Sequence, residues 1–169
     1  MIILIRHSHD RVKGSVRHAH DTDITEKGVA MAQKKARKLV RRYGRPSMIL
    51  CSPFRRTRET MTVMADEISI SGKRQYIDPR LGRIFADDER KQPKMAASTQ
   101  AYGVNADEGR RRFRARVDNF VRDIDQYIDT EEVVWVITHA IVFNSVLERY
   151  GHETGHLGFL DSKRLRRRS

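Results

Sequence analysis

Ile3-Leu4-Ile5-Arg6-His7 is an apolar run that stops at an arginine followed by a histidine, and Val133-Val134-Trp135-Val136-Ile137-Thr138-His139 repeats the design near the other end of the chain. Each reads as a buried strand that presents a histidine as it ends. Parallel strands of α/β proteins gather their ligands at their carboxyl ends. His7 and His139 are therefore expected to face one pocket although they lie far apart in sequence. A third strand, Met48-Ile49-Leu50-Cys51, runs into Ser52-Pro53-Phe54-Arg55-Arg56 and delivers arginine to the same rim.

The segments between these strands alternate with them. Thr25 reads as the N-cap of a helix that runs to about Tyr43 and stops at Gly44. Val29, Ala32, Ala36, Leu39 and Val40 form its apolar stripe. Ser52-Pro53 reads as the entry to a second helix, serine capping and proline in the first turn, continuing to about Glu67. A short strand is expected around Gln75 to Ile77. From Asp78 to Val104 the pattern is lost, and Pro79, Gly82, Pro93 and Gly103 punctuate a polar stretch. Asn105 and Glu108 resemble a capping box opening a long helix. That helix buries Phe113, Val117, Phe120, Ile124 and Ile128 and carries Arg110, Arg111, Arg112, Arg114 and Arg116. The strand Val133 to Thr138 and a helix from Ile141 to Tyr150 follow. The alternation predicts a three-layer α/β/α fold with a mostly parallel central sheet and right-handed crossovers. The domain is expected over residues 1–162, with 163–169 a basic, disordered tail.

At 169 residues the chain is long enough for one domain with a proper core. Lys and Arg number 34 against 22 Asp and Glu, a formal charge of +12. Such a charge attracts anions at long range without naming one. The lone Cys51 permits no internal disulfide and reads as a small buried hydrophobe. The N-terminal apolar run ends at Arg6, too short for a signal-peptide core, and no stretch has the length of a membrane span. The expectation is a soluble, cytoplasmic protein. The implied site holds two imidazoles and at least two guanidiniums, a set suited to a phosphoryl group.

Four segments resemble the histidine phosphatase superfamily, whose fold is phosphoglycerate mutase-like. They are Leu4-Ile5-Arg6-His7, Asp21 to Gly28 (DTDITEKG), Ser52 to Thr60 (SPFRRTRET) and Ile137-Thr138-His139-Ala140. Their order and distances together carry the resemblance, which spans most of the chain. It implies that His7 is a nucleophile that forms a phosphohistidine later hydrolysed by water. Arg6 and Arg56 would hold the phosphoryl oxygens through planar contacts that lysine does not make, and His139 would add a further donor. It implies a phosphoric monoester hydrolase of the acid-phosphatase type, with no metal and no cofactor. A phosphorylated small molecule or phosphoprotein would be its substrate. A mutase is disfavoured, since mutases usually need additional segments that enclose the substrate.

Two positions depart from the family pattern. Ser8 stands where glycine usually follows the catalytic histidine, and could reach the phosphate rim. Leu81-Gly82-Arg83 places arginine where many members carry a proton-donating glutamate. General acid catalysis contributes about 10²–10⁴-fold, so its loss would weaken attack on poor leaving groups most. Three readings follow. Asp87, Asp88 or Glu89 substitutes, with Asp88 named as the candidate proton donor. The substrate needs no strong acid, as for the compact phosphohistidine phosphatases of the superfamily. Or Arg83 is an extra clamp for a polyphosphorylated substrate. A protein that binds anions or nucleic acid with little turnover is the rival outside the enzymes. Arg55 is expected at the surface, and His9, His18, His20, His152 and His156 in solvated loops. The Arg110–Arg116 run reads as a solvated helix face, with nonspecific polyanion or RNA contact as the alternative.

Overall fold

The chain is described by a computed structural model covering residues 1–10, 21–85, 101–105 and 108–167. Its centre is set by two adjacent parallel strands buried on both faces, β1 (Ile2–Arg6) and β4 (Val134–Thr138), paired in register from Ile2 with Val134 to Arg6 with Thr138. Ile2, Leu4, Val134 and Val136 enter the core on one face, and Ile3, Ile5, Trp135 and Ile137 the core on the other. Successive side chains of a strand point to opposite faces, so continuous apolar runs are what a doubly covered sheet requires.

The sheet order is β3-β2-β4-β1-β5, with β2 at Met48–Cys51, β3 at Gln75–Ile77 and β5 at Ser162–Arg164. Four strands are parallel and β5 runs antiparallel along β1. One face is covered by α1 (Glu26–Tyr43) and α2 (Arg55–Glu67) through Ala32, Ala36, Leu39, Met61 and Met64. The other is covered by α3 (Arg110–Ile124) and α4 (Ala140–Arg149) through Phe113, Val117, Phe120, Val142 and Phe143. The mostly parallel three-layer expectation is met. Among the described residues, no helix is long and apolar enough to cross a membrane.

Local chemistry explains the boundaries. The Thr25 side chain accepts from the Gly28 amide at the start of α1, and Gly44 ends the helix at φ 87°, a conformation open to glycine at little cost. Two expected caps are corrected. α2 begins at Arg55 with Phe54 at its N-cap, and the Ser52 hydroxyl, 3.5 Å from the Phe54 amide, makes its shorter bond to His139 at 2.8 Å. α3 begins at Arg110 with Gly109 at its N-cap, beyond the expected Asn105, and the Glu108 carboxylate pairs with Arg116. The tail boundary is corrected as well. Lys163 and Arg164 lie in β5, Leu165 is fully buried, and Arg167 pairs with Asp125 and Asp129. Cys51 is buried as expected, which pushes its thiol up to about 12.

Candidate active site

The register of β1 with β4 brings the two strand-terminal histidines together. The His7 amide donates to the Thr138 carbonyl at 2.9 Å, and the rings of His7 and His139 lie 5.4 Å apart, centroid to centroid. From β2, the Ser52 amide donates to the Ile137 carbonyl, which brings the start of α2 alongside. Arg56, in the first turn of α2, is thereby buried against His139, with its charge acting on His7 as well.

Hydrogen bonds define the form of each ring. His7 Nδ1 lies 2.9 Å from the Ser8 carbonyl, which only accepts, so Nδ1 carries the proton and Nε2 keeps its lone pair. Burial, and next the positive charge of Arg56, lower its pKa to about 3. The ring is thus neutral at physiological pH. A guanidinium only donates, so the 3.1 Å contact from Arg56 to His139 Nδ1 leaves that nitrogen unprotonated. Nε2 of His139 then donates to the Ser52 hydroxyl, 2.8 Å away. Burial and Arg56 hold His139 well below its ordinary pKa too.

Arg6 is half-buried, donates to the Leu157 carbonyl and stacks 4.5 Å over the Phe159 ring. Its buried Nε has no hydrogen-bond partner among the described residues. Arg56 Nε lies 3.8 Å from Asp10 Oδ2, and Thr22 donates to the same carboxylate at 2.7 Å. Burial and the nearby Arg83 charge lower Arg56 to about 10, so it remains a cation at neutral pH.

The structure therefore gathers Arg6, His7, Arg56 and His139, and places Arg83 close enough for its charge to act on Arg56 and His139. Ser8 is a correction. It is fully buried, its hydroxyl donates to the Gly28 carbonyl at 2.6 Å, and its amide donates to Thr60, so it braces the backbone after His7 against α1 and α2. His9 is a second correction, half-buried with Nδ1 2.8 Å from Thr25 Oγ1 and its ring against Phe159. The close approach there requires Gly28, where an added Cβ would sit 2.3 Å from the His9 carbonyl oxygen. Arg55 is exposed and paired with Asp23 and Glu59, as expected. Asp88, Asp87, Glu89, His18 and His20 lie outside the described residues. Sequence reasoning missed Ser52 as a partner of His139, Asp10 beside Arg56, and Phe159. Their roles arise from contacts between distant segments, and no spacing rule announces them.

Arg116 also departs from the solvated helix face. It forms two contacts with Glu108 and donates to the Gly82 carbonyl at 2.8 Å, while Thr138 donates to the Leu81 carbonyl at 2.8 Å. The segment carrying Arg83 is thus anchored from α3 on one side and from the residue before His139 on the other.

This arrangement of strand-terminal histidines and converging guanidiniums coincides with a family match over residues 2–157, and the chain belongs to the histidine phosphatase superfamily (branch 1). No curated protein sequence matches it. Among solved structures it is similar to a mycobacterial glucosyl-3-phosphoglycerate phosphatase complexed with VO3, at 17% identity and TM-score 0.69, covering 95% of this chain and 88% of the other. The ecdysone phosphate phosphatase of Bombix mori in complex with tungstate is 15% identical, TM-score 0.67, over 95% and 86% of the two chains. The alpha-ribazole phosphatase of Shigella flexneri is 19% identical, TM-score 0.62, over 90% and 80%. At such identities these likenesses establish the fold.

Proposed function

We propose that the protein is a metal-independent phosphatase that works through a phosphohistidine on His7. The observation that carries this reading is the His7 tautomer, with Nδ1 donating to the Ser8 carbonyl and an unprotonated Nε2 in a pocket of guanidiniums. A phosphomonoester whose leaving group departs readily is its simplest substrate. Nε2 attacks phosphorus, the P–O bond to the leaving group breaks, and the electron pair goes with that oxygen. Charge that accumulates on the equatorial oxygens is met by Arg6 and Arg56, already in place before reaction. Water then attacks the phosphorus of phospho-His7, the N–P bond breaks, and its electron pair returns to Nε2. His139 keeps Arg56 aimed; it serves as a donor to phosphate when its Nε2–H exchanges Ser52 for a phosphoryl oxygen.

The test is release of phosphate from an aryl phosphate by wild type and His7→Ala, with chelator present, between about pH 5 and 8. Activity that disappears with His7 supports the reading. Equal activity in the two proteins would refute it. Vanadate and tungstate, present in the structures of the mycobacterial and Bombix mori proteins, are expected to inhibit as phosphoryl mimics.

A second role, contact with a polyanion, is favoured by one feature at the other end of the sheet. A groove of about 660 Å³ there is lined by Arg42, Tyr43, His152, Lys163, Arg164 and Arg166 and carries no carboxylate among its lining residues. Binding of an RNA homopolymer that weakens steeply with salt, and further on Arg164→Glu, would support this role, and salt-insensitive binding would not.

A further inference from the structure

The contacts around His139 lead away from the nucleophile to another cation. The His139 ring lies 5.4 Å from His7, and Phe54 meets the His139 ring edge-on at 5.1 Å. Phe54 packs 5.8 Å from Phe85, and Arg83 lies 4.8 Å over the Phe85 ring. The backbone beside Arg83 is held by Thr138 at Leu81 and by Arg116 at Gly82, so the position of this cation is built into the fold. Arg83 is close enough for its charge to act on both Arg56 and His139. The ring contacts reach Arg83 from His7 by way of His139, Phe54 and Phe85, which sets this cation on the side of His139 away from the nucleophile's own contacts.

In-line displacement places the leaving group opposite the attacking nitrogen. A leaving group pointing away from His7 therefore departs toward Arg83. A guanidinium does not give up a proton at neutral pH, so it cannot supply the proton that an alkoxide needs to leave as an alcohol. It does stabilise a group that leaves with its negative charge. It opposes a leaving imidazole, which must be protonated to depart well and would bring a positive charge toward a cation.

We propose that Arg83 is a specificity-determining residue that binds an anionic leaving group, and that the enzyme prefers phosphoanhydrides, in which one phosphate is transferred and the other departs, over alkyl phosphomonoesters and phosphoramidates. This rests on the phospho-His7 reading above. His7 Nε2 bonds to the terminal phosphorus while the bridging P–O bond breaks. The bridging oxygen keeps the electron pair and leaves as part of a phosphate beside Arg83. No proton donor is needed in this step, because phosphate is a far weaker base than an alkoxide. Hydrolysis of phospho-His7 by water completes the cycle with a second phosphate.

The experiment compares kcat/KM for inorganic pyrophosphate, glycerol phosphate, phosphoramidate and an aryl phosphate in wild type, Arg83→Gln, Arg83→Lys and His7→Ala. Wild type is expected to favour pyrophosphate over glycerol phosphate and phosphoramidate. Arg83→Gln should lower the pyrophosphate value by about 100-fold and the aryl phosphate value by less than about tenfold, with Arg83→Lys recovering part of the difference. Wild-type inactivity on pyrophosphate, faster turnover of phosphoramidate, or equal losses on both substrates in Arg83→Gln would each overturn the inference. Aryl phosphatase activity that survives His7→Ala would instead overturn the reading on which it rests. Circular dichroism of Arg83→Gln separates a lost contact from a lost fold, and Arg83→Lys carries the comparison if Arg83→Gln does not fold.

Discussion

The Arg56 guanidinium donates to Nδ1 of His139 at 3.1 Å, and this one contact sets the ring's tautomer and the aim of the arginine, while burial and then the Arg56 charge keep the ring neutral. Nothing comparable can be built with lysine, whose ammonium is a point donor on a flexible stem. Arg56→Lys is therefore expected to lower kcat/KM on an aryl phosphate by about 10²–10³-fold. Steady-state kinetics check this, and retention of more than half the activity would contradict it.

Ser52 acts through His139 as a positioning residue. Its hydroxyl holds Nε2 at 2.8 Å, and Ser52→Ala leaves that N–H to seek another acceptor. A loss of about 10–100-fold in kcat is expected, with KM changed less. The ¹⁵N signal of His139 Nε2 should move with the substitution, a readout that a general loss of stability would not give. An unmoved signal would place Ser52 outside the site's machinery.

Both site histidines are buried neutral, and His7 is held at about 3 chiefly by burial and then by Arg56. Unfolded histidine takes up its proton near pH 6.5, so below that value the unfolded chain binds protons that folded His7 does not. The stability associated with His7 is accordingly full above about pH 6.5 and declines as pH falls from there toward about 3. NMR titration of the free protein should show no protonation of His7 between about pH 5 and 8. A midpoint near the ordinary histidine value would contradict the geometry.

Glu108 and Arg116 form a pair whose side chains are 8% and 16% exposed, and the same arginine anchors Gly82. Removing one member of such a pair leaves a buried charge uncompensated. Arg116→Met is expected to cost about 3 kcal/mol and lower Tm by about 6–12 °C. Because the anchored segment carries Arg83, the substitution should also diminish any preference for anionic leaving groups. Thermal unfolding together with the substrate series checks both parts, and an unchanged Tm would contradict the first.

Gly28→Ala would place a methyl 2.3 Å from the His9 carbonyl oxygen, against backbone that cannot swing aside. The loss expected is about 1–3 kcal/mol, with reduced activity, since the displaced residues adjoin His7. A variant with wild-type Tm and turnover would show that the segment yields freely.

The central sheet and the end of it that gathers the histidines were legible in the sequence because two fully covered parallel strands must be apolar throughout, which makes the polar residues Arg6, His7 and His139 conspicuous where the apolar runs end. The helix α1 was legible for a similar reason, its cap and its glycine stop being local chemistry. What sequence reasoning misplaced is non-local. Ser52 reads as a helix cap until His139 arrives from another strand to take its hydroxyl. Ser8 reads as a rim residue until Gly28 accepts its bond, and Arg116 as surface until Glu108 folds against it. A basic tail reads as disordered until β1 offers Lys163 and Arg164 an open edge.

The central claim is that His7 carries the phosphoryl group, and rapid-quench trapping tests it most directly. Wild-type protein mixed with a ³²P-labelled aryl phosphate and quenched in alkali should retain one label on the peptide containing His7, lost on exposure to acid and absent from His7→Ala. Turnover with no trapped label at any quench time, or a label that persists in His7→Ala, would contradict it.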